Sequence, residues 1–433
     1  MSLLTEISRS IVDAQDFEPG VFNTSESGLP NPQSYNQLAA ALTFPTSLST
    51  NAPSVVVSST GKMAIALFQQ APTNDVAVFQ TFLLQNGAWV LVNTTTTPLT
   101  NSQQLNLSLS ENNDLLAIGN GIVREVVVYA LSAAGDAWTQ VGSTLTSTLL
   151  GFGTVVQINN GLAAGLPPTL SVLANNGANI LFYNVFVNAS LITTPSTLVL
   201  PVIAGGYQNF TISTDFSTLA VANVYINGLV GQVVVLSRPR YVPVTSWPAK
   251  QTLNPIGVSD ANVYMGTGLS VSSDGNVLAV GCPGDGLNAP ASVGTTGAVL
   301  MYNYVEQSGR YVQGQKIIPL DYSPASTAAL NFGSSLQLTL DGYTLVAGGW
   351  YDNNQVGATW VFVLTDSGIW IQNGNKLNDA DPPQGVLFNE GVNVAIARGN
   401  ASVIVSSVTQ NKLPDTSVVN SMVVYQSATS LLS

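Results

Sequence analysis

The sequence predicts an all-β fold: a seven-bladed β-propeller of four-stranded blades, closed by a strand from the N-terminus. Three observations carry the prediction. Short runs of Val, Ile, Leu, Thr and aromatics are separated by Gly, Asn, Asp and Ser turns, without helical period through the body of the chain. One phrase, a polar turn followed by an apolar strand, recurs seven times. A second phrase, a turn followed by an aromatic and an alternating strand, falls between the copies of the first.

The first phrase reads SSTGKMAIAL at 58–67, SENNDLLAIG at 110–119, STDFSTLAVA at 213–222, SSDGNVLAVG at 272–281 and TLDGYTLVAG at 339–348, with weaker copies PTLSVLA at 168–174 and GNASVIVS at 399–406. Its anchor residues are Ala64, Leu116, Leu170, Leu219, Leu278, Leu345 and Val403, spaced by 52, 54, 49, 59, 67 and 58 residues, a mean of 56.5. The second phrase carries Trp89, Trp138, Tyr241, Tyr311 and Trp370, while NASLITTP at 188–195 fills the slot with Leu191. These aromatics recur at one repeat position and are read as structural. An apolar strand precedes each anchor strand and another follows it, so each unit has four strands. A single blade exposes both faces and cannot bury them alone; radial stacking covers each face with a neighbour.

Seven anchors are followed by only six outer strands, and the missing one lies at the front. PQSYNQLAAALTFPTS at 32–47 reads like RYVQGQKIIPLDYSPAS at 310–326, with Tyr35 as the seventh aromatic. Pairing the segment near residues 35–44 with the last strand, near residues 422–426, closes the ring and removes the open edge. Seven units of this mean length need about 396 residues, and positions 35 to 433 supply 399. The chain thus divides into an arm, 1–31, and a propeller, 32–433. In the arm, Leu3, Leu4, Ile7, Ile11 and Val12 stand at helical spacing after Ser2. The stripe of Leu4, Ile7 and Ile11 covers too few turns to form a stable isolated helix, so it is expected to be an assembly element that docks on a neighbour.

Composition excludes several function classes. The 433 residues contain no histidine, which removes His-dependent triads, imidazole bases and His-ligated metals. The single cysteine, Cys282, rules out an intrachain disulfide and is read as a small half-buried residue, with no cation near it in sequence to make it reactive. Eleven basic residues against 23 acidic ones argue against a nucleic-acid surface. The start, MSLLTEISRSIVDAQ, lacks a secretory pattern, and no window is apolar enough for membrane insertion. Only 8% of residues are charged, and residues 27–61 and 137–214 have no charge at all. A surface of hydroxyls and amides suits a protein packed among copies or exposed to variable salt, as in virus particles and extracellular proteins. The six N-x-[ST] sequons are read as a product of Asn, Ser and Thr abundance.

LAVGCPGDGLNAPASVGTTGAVLMYNY at 278–304 and FGSSLQLTLDGYTLVAGGWYDNNQVGATWVFV at 332–363 resemble the FG-GAP repeats of integrin-α-type propellers. The resemblance spans most of the chain and is strongest in units five and six. It implies a seven-bladed propeller with ligand contacts on the face that carries the loops between second and third strands. The family's calcium loop alternates several acidic residues. Here only Asp274-Gly275, Asp341-Gly342 and Asn112-Asn113-Asp114 stand in its place, too few oxygen ligands for calcium, and they read as turns. No metal and no cofactor are expected.

Asp285, Asp352, Asp366, Asp379, Asp381 and Glu390 are the carboxylates that a propeller glycosidase could use. Asp379 and Asp381 fall in a Pro-rich connector. Of the arginine cluster a sialidase needs, only Arg238 and Arg240 are close together. The expectation is therefore a non-enzyme. The favoured ligand site is the loop holding Trp350, Tyr351, Asp352, Asn353 and Asn354, joined by Asp285 from the long loop of unit five, because a flat aromatic beside amides and carboxylates suits sugar or peptide recognition. The bland alternative is that Trp350 packs between blades. The leading functional expectation is a recognition and assembly module, a structural or host-attachment component of a virus particle. Its partners would be virion proteins, copies of itself, or a glycan or cell-surface receptor. An extracellular adhesin or glycan-binding lectin is the second reading, and a propeller glycoside hydrolase the third.

Overall fold

The computed structural model describes residues 35–38, 41–44, 52–70, 76–100, 105–160, 167–238, 247–259, 261–286, 295–323, 329–379, 386–387, 389–412 and 418–427. The arm with Leu4, Ile7 and Ile11 lies outside them, as do Arg240, Tyr241 and Asp381.

Seven antiparallel sheets follow one another along the chain. Blade 1 comprises Ser54–Val57, Met63–Gln70, Val76–Gln85 and Ala88–Thr100. Blade 2 comprises Leu105–Leu109, Leu115–Asn120, Glu125–Leu131 and Trp138–Gln140, with Leu145–Thr146 also on its third strand. Blade 3 comprises Val156–Asn159, Thr169–Ala174 and Asn179–Phe186, and its outer position is divided between Leu191–Ile192 and Ser196–Val199. Blade 4 runs through Asn209–Ile212, Thr218–Asn223, Gln232–Ser237 and Ala249–Leu253; blade 5 through Leu269–Val271, Val277–Cys282, Ala298–Val305 and Arg310–Ile317. Blade 6 holds Ser335–Leu338, Thr344–Gly349, Ala358–Leu364 and Trp370–Gln372.

Blade 7 takes Val394–Ile396, Val403–Lys412 and Val418–Ser427 from the C-terminal end. Its outer position is filled by Tyr35–Gln37 and Leu42–Thr43, with Tyr35 opposite Ser427 and Leu42 opposite Met422. The closure read from the sequence is present.

A second strand has a neighbouring blade on both faces, so it is buried on both and reads as a continuous apolar run. Leu115–Asn120 and Thr218–Asn223 are buried at every position, and all seven anchor residues are at most 1% exposed. Each buried Leu contributes about 1.5–3 kcal/mol. The core is divided accordingly into seven clusters, each containing side chains of two consecutive blades; Phe44, Phe68 and Val424, for example, meet between blades 7 and 1.

The recurring glycines have a specific cause. A Cβ on Gly281 would lie 1.9 Å from the Gly333 carbonyl oxygen, one on Gly348 2.0 Å from that of Gly391, and one on Gly119 2.2 Å from that of Gly153. The glycine that ends a second strand thus admits the backbone that opens the next blade. The residue before that opening glycine is Phe152, Met265, Phe332 or Glu390, each 0% exposed. In blade 7 a carboxylic acid occupies a slot that is otherwise apolar.

The outer-strand aromatics tie blades together. Trp138 Nε1 donates to Thr81 Oγ1 in the preceding blade at 2.9 Å. The Tyr311 hydroxyl meets Thr218 Oγ1 at 2.9 Å and donates to the Gly275 carbonyl. Gln251 in blade 4 is bonded to both backbone groups of Tyr311, and Gln315 in blade 5 to both of Trp370.

Candidate functional site

The loop that follows Thr344–Gly349 carries the aromatic site read from the sequence. The Trp350 and Tyr351 rings lie 4.0 Å apart, tilted by 44°, and both residues are half-buried. After them the chain makes one tight turn, Asp352–Gln355, in which Asn353 (φ 48°) and Asn354 (φ 56°) take the left-handed conformation that Asn tolerates best after Gly. Both asparagines are exposed.

Asp352 belongs to the interior. It is 1% exposed; its Oδ2 lies 2.5 Å from Lys376 Nζ, and its Oδ1 accepts the Ser323 N–H at 2.6 Å. Lys376 Nζ also donates to Ser323 Oγ at 2.8 Å. Burial raises the Asp352 carboxyl above its ordinary range, and the bonds from Lys376 and Ser323 work against that rise. Asp321 alongside shows the opposite balance. Burial pushes it up, but bonds from the Lys376 N–H, Gln372 and Trp360 outweigh that and hold it below the usual carboxylate range.

Blade 5 repeats the arrangement. Asp285, 0% exposed, pairs through Oδ2 with Lys316 Nζ at 2.6 Å and accepts the Ser259 N–H at 2.8 Å. Asp285 and Asp352 are therefore repeat equivalents, each joining its own loop, the linker into its blade and a lysine at or just beyond the outer strand. Their bonding is internal, in contrast to the surface role the sequence suggested. Cys282, close to Asp285 and Lys316, is fully buried, not half-buried, and burial pushes its thiol up and out of reach of thiolate chemistry.

The same face presents side chains that sequence reading missed. Ile122 and Tyr225, in loops between second and third strands, are 37% and 63% exposed. Leu150, Val202, Ile256 and Leu320, in linkers between blades, are 54%, 102%, 70% and 77% exposed. The available signal was an isolated apolar residue among turn formers, as in NPIG at 254–257.

On the opposite face, the turns between inner and second strands form a hydrogen-bonded collar. The Asp215 N–H donates to Ser273 O, Ser273 N–H to Leu340 O, Leu340 N–H to Arg398 O and Gly399 N–H to Ser59 O, at 2.8–3.1 Å. Ser59 N–H donates to Asn113 Oδ1 at 2.7 Å, and the Glu111 carboxylate accepts from Asn159 Nδ2, the Asn160 N–H and Thr214 Oγ1. Arg398 donates to the carbonyls of Leu338 and Val271 at 3.1 and 3.0 Å. Burial lowers the Arg398 guanidinium, and the negative charge of Glu111 opposes the shift. The carboxylates of the Asp-Gly turns bond within their own turns: Asp274 Oδ1 accepts Ser272 Oγ at 2.6 Å, and Asp341 Oδ1 accepts Thr339 Oγ1 at 2.5 Å.

Among the described residues the remaining candidate carboxylates do not converge on an open cleft. Asp366 is exposed in a hairpin, while Asp379 and Glu390 are buried together, the Asp379 N–H donating to Glu390 Oε2 at 2.8 Å. Arg238 is 4% exposed and lies 5.2 Å from the centre of the Trp247 ring. Among the described residues no three His, Cys, Asp or Glu side chains are grouped to hold a metal.

No family model and no curated protein matches the chain. Among solved structures it is similar to U3-55K, at 10% identity over 89% of this chain and 99% of that one, with a TM-score of 0.53. It is similar to the β-propeller domain of Cps50 (Swd1) from Myceliophteria thermophila, at 9% identity over 90% and 99%, with a TM-score of 0.52. It is also similar to hydrazine synthase from Kuenenia stuttgartiensis, at 10% identity over 94% and 99%, with a TM-score of 0.51. Identities this low speak to architecture alone, and together with the blade topology they make the chain a β-propeller.

Proposed function

We propose that the chain is a non-enzymatic recognition and assembly module with FG-GAP-like repeats, and that it serves as a structural or host-attachment component of a virus particle. One observation carries the reading: Ile122, Leu150, Val202, Tyr225, Ile256 and Leu320 expose apolar surface on one face, whereas Asp285, Asp352 and Glu390 are committed to internal bonds. Apolar side chains exposed on the loops of a rigid scaffold favour macromolecular contact. The low charge of the chain supports a crowded, salt-tolerant setting. The Phe-Gly pairs at 152–153 and 332–333, each opening a blade, support the FG-GAP comparison.

The test is sedimentation of the tagged chain with particles from its source, beside a Val202→Asp/Tyr225→Asp/Leu320→Asp variant. The parent is expected in the particle fraction, and the variant free, with an unchanged melting temperature. A parent that never enters that fraction overturns the particle reading. The adjoining rings of Trp350 and Tyr351 beside exposed Asn353 and Asn354 favour glycan binding as the second reading, whose test is a glycan-array signal lost in Trp350→Ala.

A further inference from the structure

The outer strand of blade 1 differs from its counterparts. Ala88–Thr100 runs for 13 residues, whereas Trp138–Gln140 and Trp370–Gln372 have 3 and Ala249–Leu253 has 5. Those of blades 3 and 7 are divided into short pieces. Outer strands form the circumference of a propeller and leave one row of backbone N–H and C=O groups unpaired. Proteins protect such edges by shortening them or placing charges on them. The 8-residue outer strand of blade 5 carries Arg310 and Lys316, and that of blade 4 carries Lys250.

Blade 1 has no such protection. Residues 76–110, which include its third strand, its hairpin and its outer strand, contain no charged residue. The strand pairs with Val76–Gln85; its far end is tied down, the Leu99 N–H donating to Thr97 Oγ1 and the Thr100 carbonyl accepting Asn120 Nδ2, whereas among the described residues no hydrogen bond runs outward from the backbone of residues 89–96. Val90 and Leu91 are 40% and 47% exposed, and Thr94 and Thr96 are exposed as well. Register shifts at Val92 and around Pro98 bracket a regular run in which Asn93, Thr94, Thr95 and Thr96 face Thr81, Gln80, Phe79 and Val78.

We propose that this edge is a contact between two copies of the chain, formed by antiparallel pairing of the run around Thr94 about a two-fold axis at that residue, which sets Thr94 opposite Thr94 of the second copy. A two-fold axis places identical strands antiparallel, so the strand needs no complement other than itself. Threonines opposite one another pair through their hydroxyls and methyls. The chain carries a net charge of −12, so copies repel over most of their surface, and this strip brings no charge to the contact. Val90 and Leu91 add apolar area beside the ladder. A contact of this size is weak and concentration-dependent. It is independent of the particle reading.

Cys282 is fully buried, so an introduced Thr94→Cys is the accessible thiol of the chain. On mild oxidation of the full-length protein, Thr94→Cys is expected to give a disulfide-linked dimer, while Val312→Cys on the outer strand of blade 5 stays monomeric. In sedimentation velocity the parent is expected to shift from monomer to dimer as concentration rises to about 100 μM, and Thr94→Lys/Thr96→Lys to remain monomeric with an unchanged melting temperature. A parent that stays monomeric across that range, a dimer indifferent to the two lysines, or equal cross-linking through Val312→Cys overturns the proposal.

Discussion

The Tyr425 hydroxyl donates to Glu390 Oε1 at 2.6 Å, inside the slot that Phe332 fills one blade earlier. The other carboxyl oxygen accepts the Asp379 N–H, and Asp379 Oδ1 accepts Gln37 Nε2 at 3.0 Å. Gln37 lies opposite Tyr425 in the closing ladder. Four residues therefore form one loop of contacts through the seam where the two ends of the propeller meet. Burial raises the Glu390 carboxyl from 4.5 to about 8, and the charge of Asp379 adds to the rise against the bonds from Tyr425, Asp379 and Ser406.

A pH dependence follows. Because the folded value lies above the unfolded one, the contribution of Glu390 to stability is fully present below about pH 4.5 and is lost as pH rises toward 8, by roughly 1.4 kcal/mol per pH unit. Glu390→Gln keeps the size of the side chain and removes the titration. The difference in unfolding free energy between variant and parent should grow in favour of the variant from pH 5 to pH 8 and level off above. Parallel profiles in urea melts would refute the assignment.

Breaking the Asp352–Lys376 pair should destabilise the fold. Asp352→Ala leaves the Lys376 ammonium without its carboxylate, at a cost of about 3 kcal/mol, near the low end for a buried pair because Lys376 is 16% exposed and can turn to water. Asp352→Leu/Lys376→Met should lose less than Asp352→Ala. Asn353→Gly, on the exposed part of the same loop and free to keep its φ of 48°, should change the midpoint little. A double-mutant cycle in urea measures all of these.

Gly348→Ala should be among the most damaging conservative changes, since its Cβ would sit 2.0 Å from the Gly391 carbonyl oxygen and must push two blades apart. The expected loss is about 3 kcal/mol or more. Gly87→Ala meets nothing within 4 Å and bears only the strain of φ 79°, about 1 kcal/mol. Thermal melts of the two variants should differ by several degrees, and equal midpoints would contradict the close approach.

Deleting residues 1–46 removes Tyr35–Gln37 and Leu42–Thr43 and leaves Val418–Ser427 as an open edge. Aggregation is expected, visible in light scattering and size-exclusion chromatography. A truncated chain as monomeric and stable as the parent would show that the seam is dispensable.

The architecture was legible because repetition multiplies a weak signal. One polar turn and one apolar strand prove nothing; seven copies at a mean spacing of 56.5 residues imply blades, and the surplus strand at the front implies closure. The glycines of LAVG and Phe-Gly were visible as a pattern, and the contact between them supplies its cause. The candidate site was less legible. Asp352 and Asp285 look like surface ligands in a loop-rich stretch, yet Lys376 and Lys316, 24 and 31 residues further on, fold back to bury them.

What the sequence determined by itself is what local pattern controls: strand period, turn chemistry, blade count, the seam at Tyr35, and the absence of histidine chemistry. Only the tertiary structure decided which polar groups are sealed. Glu390 becomes a raised-pKa acid because the repeat places it in an apolar slot, and Asp379 is near it because the chain returns there before entering blade 7. Val202, Ile256 and Leu320 become a surface because the linkers that hold them lie on one face. Burial and electrostatics depend on distances in space, which a window along the chain does not give even where, as with Asp379 and Glu390, it contains both partners.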